Sequence, residues 1–95
     1  MTIQPKPAPG TKLNGAHLAN LHTFLIAARY LSFSRAANEL CLTPSAISHR
    51  IARLEDALQL TLFDRLPRQV RLTEDGERIF LIMQETMDGL SEALQ

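Results

Sequence analysis

A short helix, a tight break and a second helix with a small polar outer face, followed by two brief β-prone runs, predict a mostly α, winged helix-turn-helix fold. A long last helix with a heptad seam completes the pattern. The 95 residues are 45 % hydrophobic and 21 % charged, the balance of one small globular domain. Apolar runs extend for a few residues at most, too short for a membrane span. The opening MTIQPKPAPG lacks the apolar core of a signal peptide, so a cytoplasmic chain is expected. One cysteine makes no internal disulfide, and three separated histidines match no zinc spacing, so neither metal nor cofactor is expected.

Taken in order, residues 1–16 carry Pro5, Pro7 and Pro9 before Gly10 and read as a flexible tail. From His17 to about Leu31, Leu18, Leu21, Leu25 and Ala28 recur at helical spacing, with Phe24 beside them. Ser32-Phe33-Ser34 breaks that helix, and Ser34 is placed to cap a short second one over Arg35–Cys41. Ala36-Ala37 there permits the close crossing that a helix-turn-helix needs. Thr43-Pro44 supplies an N-cap and a proline at the first helical position, starting a third helix that runs to about Leu58. Leu62–Leu66 and Gln69–Leu72 suit a small hairpin around Pro67-Arg68, although the turn lacks an Asn-Gly signal. These elements make a winged domain of 17–72. Thr73 then caps a linker helix over 73–95, whose first turn places Glu74, Asp75 and Glu77 at the positive end of the dipole. About 22 residues at 1.5 Å each give a rod of roughly 33 Å.

The formal net charge of zero hides an asymmetry. Residues 1–71 hold nine Lys/Arg against four Asp/Glu, while 72–95 hold one Arg against six acids, so +5 cancels −5. Between 29 and 71 all seven basic residues are arginine, whose planar fork suits phosphate. Charge alone favours a solvated surface, so position must decide. On the third helix Ile47, Ile51, Leu54 and Leu58 form a narrow core stripe, with Ser45, His49, Ala52 and Asp56 nearly opposite. Ser48 and Arg53 flank the outer face, and Arg50 sits nearer the core edge. Small residues allow close approach, and hydroxyl, imidazole and guanidinium groups can bond base edges and phosphates. Wing residues Arg65, Pro67 and Arg68 would then lie near phosphates or the minor groove.

The runs Leu31-Ser32-Phe33-Ser34-Arg35-Ala36-Ala37 and Leu42 through Ile51, with Leu54-Glu55, Leu62-Phe63-x-Arg65 and Leu72-Thr73-x-x-Gly76, resemble the DNA-binding domain of LysR-type transcriptional regulators. The likeness covers about residues 17–95. Leu13-Asn14-Gly15, His22-Thr23-Phe24, Ala27-Ala28-Arg29 and Pro44 through Ile51 are similar to the branch concerned with D-serine metabolism, and less closely to that of glycine cleavage. The resemblance implies a bacterial regulator that binds a double-stranded DNA operator, with an effector-binding domain, absent from this chain, that takes a small molecule. It implies major-groove contacts at Pro44, Ser45, Ser48, His49 and Arg53, and backbone or wing contacts at Ser34, Arg35, Thr43, Arg50, Arg65 and Arg68. One departure is His49, where many members carry Arg or Lys. A neutral imidazole does not supply the bidentate guanine contact, so the base opposite His49 stays open.

Ser45 and His49 share a helix face, but a nucleophile–base pair needs an orienting third group and an oxyanion site, so no enzyme is expected. A protein-interaction module using the same helix is the alternative to DNA binding. Cys41 reads as a small buried apolar residue. His17 and His22 read as the flank of the first helix. On the last helix Gly76, Phe80, Met83, Met87, Leu90 and Leu94 step by 4, 3, 4, 3 and 4, widened by Ile79 and Ile82. A winged core of this size cannot cover the rod, so part of the seam is expected to meet another chain. Dimer contacts are therefore assigned to Phe80, Met83, Met87, Leu90 and Leu94. The resemblance implies antiparallel pairing into a homodimer, or a tetramer in the full-length protein.

Overall fold

A computed structural model describes residues 13–95. The tail expected over 1–16 lies mostly outside them, and its last residues are helical. Asn14 is an extended N-cap whose side chain accepts from the His17 backbone N–H at 2.8 Å, starting α1 at Gly15. The boundary therefore moves back by two residues. α1 (Gly15–Tyr30) is the central helix, and from Leu21 to Ala28 only His22 is exposed. Leu18, expected on the core stripe, is 54 % exposed, because it lies a turn before that buried stretch begins. Thr23 is buried with its hydroxyl satisfied twice: it donates to Ala19 O and accepts from Arg50 Nη1.

The second helix, α2 (Phe33–Leu40), starts two residues earlier than the sequence suggests. Ser32, in an extended conformation, accepts from the Arg35 N–H at 3.2 Å, so it and not Ser34 is the N-cap. The tertiary reason is aromatic. With Phe33 at the first helical position, its ring meets Phe63 edge-on at 5.4 Å, and Phe63 in turn meets Phe24 at 5.4 Å. Cys41 is exposed, contrary to expectation. It is the left-handed cap of α2 (φ 56°), and its N–H closes on Ala37 O and Asn38 O while Leu42 N bonds Ala37 O.

α3 (Pro44–Leu58) begins on the Thr43 cap, as its sequence requires. Ile47, Ile51, Leu54 and Leu58 all enter the core against α1 and α2. Each such side chain contributes about 1.5–3 kcal/mol by leaving water. β1 (Phe63–Leu66) and β2 (Gln69–Leu72) pair antiparallel, Phe63 with Leu72 and Arg65 with Val70. Neither Pro67 nor Arg68 has positive φ, so the turn is not a primed one and needs no Asn-Gly.

α4 (Glu74–Ala93) is capped by Thr73, whose hydroxyl accepts from the Gly76 N–H at 2.9 Å. Gly76 is buried hard against the chain leading into β1: a Cβ there would stand 2.0 Å from Leu62 O. The heptad seam divides in two. Phe80 and Met83, with Ile79, pack on the domain's own core. Farther out, Met87 is half-buried, Leu90 is 52 % exposed and Leu94 is 78 % exposed. Phe80 and Met83, assigned to a dimer contact, thus already lie partly against their own core, and α4 leaves the domain after them. Among the described residues no helix is long and apolar enough to cross a membrane.

Candidate nucleic-acid interface

The outward face of α3 is built from its cap forward. Thr43 spends an acceptor lone pair on the Ala46 N–H at 3.1 Å, and its O–H remains a donor at the helix start. Pro44 and Ser45 stand exposed beside it, and His49, Ala52 and Arg53 continue the same side, with Ser48 half-buried at its edge. Four of these six side chains are proline, serine or alanine, so the helix backbone can come close to an opposing surface. Asp56, at the far end, is the face's one acid and would repel a phosphate there.

The structure sorts the seven arginines by what they already hold. Arg29 Nε donates to Gln84 Oε1 at 3.2 Å, tying α1 to α4. Arg50 Nη1 donates to the buried Thr23 hydroxyl at 3.3 Å. Arg35 lies over the Tyr30 ring, 4.7 Å from its centroid. Tyr30 O–H donates to Glu39, and that hydrogen bond, followed by the carboxylate's charge, raises the phenol above its ordinary pKa. Arg65 lies 3.9 Å from Glu55 Oε1 with its guanidinium 5.5 Å from the Phe33 centroid. Among the described residues the guanidinium groups of Arg53, Arg68 and Arg71 have no hydrogen bond, ion pair or ring contact. They are the cations left for a partner.

Arg68 is the second central residue of the wing turn, and with Pro67 and Gln69 it borders an open groove whose other side is Ser32, Phe33 and Ser34. Among the described residues the Ser34 hydroxyl, without the cap role, has no hydrogen-bond partner; it stands in the first turn of α2, where backbone N–H groups and the dipole favour an anion. Ser34 and Arg68, both expected at the DNA backbone, border the same groove. Sequence reasoning missed Glu55, whose Oε2 accepts from the Leu62 N–H at 2.7 Å and the Phe63 N–H at 3.3 Å. Arg65, expected at the DNA backbone, is exposed and leans toward Glu55 and the Phe33 ring. Strand alternation was the available signal, since Phe63 faces inward and the residue two along shares its face.

This arrangement defines a class: a winged helix-turn-helix domain continued by a long linker helix. The family model of the bacterial regulatory helix-turn-helix proteins, lysR family, matches residues 18–77. The chain belongs to that family. It is 46 % identical to the HTH-type transcriptional regulator DsdC of Escherichia coli K12, over 86 % of this chain and 26 % of that one. With the glycine cleavage system transcriptional activator of the same strain it shares 51 % identity, over 77 % of this chain and 24 % of that one. The chain thus spans about a quarter of the length of these relatives. Among solved structures, the BenM_DBD/catB site 1 DNA complex superposes with a TM-score of 0.75 at 26 % identity, covering 81 % of this chain and 86 % of that one.

Proposed function

We propose that residues 13–95 are the operator-reading and pairing module of a bacterial transcriptional regulator. α3 enters the major groove of duplex DNA, presenting Pro44, Ser45, Ser48, His49 and Arg53 to bases and adjoining phosphates. Thr43 and Ser34 donate to the backbone at two helix N-termini, and the wing carries Arg68 to the minor groove or its phosphates. Met87, Leu90 and Leu94 pair α4 with a second copy, which places two recognition helices on one operator. The longer chain of the relatives supplies room for a small-molecule effector domain, and the likeness to DsdC accords with the D-serine branch. The observation that carries this reading is the small, polar, exposed face of α3 with the unpartnered Arg53 on it and the unpartnered Arg68 on the wing.

Salt tests it. Three free arginines per subunit make six per dimer, and about −0.9 per neutralised phosphate gives a log–log slope of roughly −5. Affinity for a selected operator should therefore fall by about 10³ between 50 and 200 mM salt. A slope near zero in a titration series would remove the DNA-binding reading.

The two kinds of contact separate in mutants. His49→Ala should cost about 1–3 kcal/mol on the best site and relax preference at one or two base pairs, with the salt slope held. Arg68→Ala should weaken binding chiefly where the minor groove under the wing is A·T-rich, and make the slope shallower by about one unit per subunit. If His49→Ala weakens all sequences equally, α3 is a phosphate anchor and the assignment of base readout to it is wrong.

A further inference from the structure

Glu55 sits in the last turn of α3, where a carboxylate meets the negative end of the helix dipole. Its position there has a local compensation. The Glu55 side chain, 19 % exposed, receives the Leu62 and Phe63 backbone N–H groups on Oε2, while Oε1 faces the Arg65 guanidinium, whose side chain is 44 % exposed. The peptide it grips is held from the other side as well. Leu62 O accepts from the Thr73 N–H at 3.0 Å, and Gly76 of α4 packs against the same carbonyl. Arg65 is drawn toward the domain by Glu55 and the Phe33 ring, opposite Val70 in the hairpin register.

We propose that Glu55 is a positioning residue which fixes the wing's offset from α3, and that Arg65 serves this clamp and not the DNA backbone. The proposal rests on the DNA reading above and adds a specificity device to it. An operator is then recognised as a set distance between the bases under α3 and the flank under Arg68. The wing cannot adjust to a flank of different groove width without breaking the Glu55 contacts, so flank discrimination depends on a carboxylate that touches no nucleotide.

Three variants of the full chain test it: E55A, E55Q and R65M. In free protein, amide exchange at Leu62 and Phe63 should accelerate by about tenfold or more in E55A. E55Q keeps a carbonyl acceptor and should restore most of that protection. On DNA, E55A and R65M should each lower the affinity ratio between A·T-rich and G·C-rich flanks by about fivefold or more, leaving base preference under α3 intact. R65M should do so with the salt slope unchanged, because the charge it removes is paired within the protein. A slope shallower by about one unit per subunit in R65M would make Arg65 a phosphate contact and overturn its part in the clamp. Unchanged exchange and an unchanged flank ratio in E55A would overturn the role of Glu55. If E55A does not fold, R65M and E55Q decide the matter by the same ratio. Failure of the DNA reading itself shows separately, as a wild-type chain without a salt slope, and the exchange measurement still tests the clamp.

Discussion

Replacing Gly76 by alanine should cost about 3 kcal/mol or more, a large share of the roughly 5–15 kcal/mol that holds a domain folded. The added methyl would stand 2.0 Å from Leu62 O, 3.0 Å from Leu62 C and 3.1 Å from Leu72 Cδ2. Two of these three atoms are backbone, fixed by Glu55 on one side and Thr73 on the other, so they cannot swing aside as a side chain would. Either α4 lifts from the domain or the chain entering β1 loses its bonds. The same change at Gly89, where nothing lies within 4 Å, should instead stabilise α4 by about 1 kcal/mol. In thermal melts the two variants should move in opposite directions, by about 4–8 °C per kcal/mol. A Gly76→Ala melt within a degree or two of wild type would show that the junction yields.

Replacing Met87 and Leu90 together by aspartate should leave the winged domain folded and make it monomeric. Phe80 and Met83 still pin α4 to the core, and both substituted positions lie beyond them. Two carboxylates on the seam would have to be buried facing a second copy, which is far more costly than leaving them in water. With pairing lost, the second half-site is no longer bound intramolecularly, and apparent operator affinity should fall by about 10²–10⁴. Sedimentation and operator titration of the same variant check both parts. A double variant that still sediments as a dimer would place the interface elsewhere.

What could be read from the sequence was what local chemistry decides. Thr43-Pro44 and Thr73 start their helices because an acceptor and a missing or spare N–H are all a cap requires. Ile47, Ile51, Leu54 and Leu58 reveal the α3 core stripe because the helical period is short. The start of α2 was ambiguous at that level, with serines at both 32 and 34. A ring contact across thirty residues, Phe33 to Phe63, resolved it. The arginines show the limit most clearly. All seven look alike in composition, yet Arg29 and Arg50 are engaged by partners 55 and 27 residues away, which no window of sequence contains. Arg65 was different, because period-two alternation from buried Phe63 puts it on the Glu55 side of the strand, although it stays exposed. Cys41 misled because apolar character was weighed without the left-handed backbone that turns it outward.

The seat of Gly76 on Leu62 also has a mechanical consequence. With Phe80 and Met83 also seated on the core, α4 is held along its first turns, and its free arm is the stretch beyond Met83, about 15 Å long. A tilt of about 10° where the arm leaves the core carries Leu94 through about 3 Å, close to the roughly 3.4 Å between successive base pairs. Because a glycine methylene bears directly on a carbonyl oxygen, no side chain cushions the joint. On the proposed pairing, small rotations imposed at the far end would change the separation of two half-sites by about one base pair.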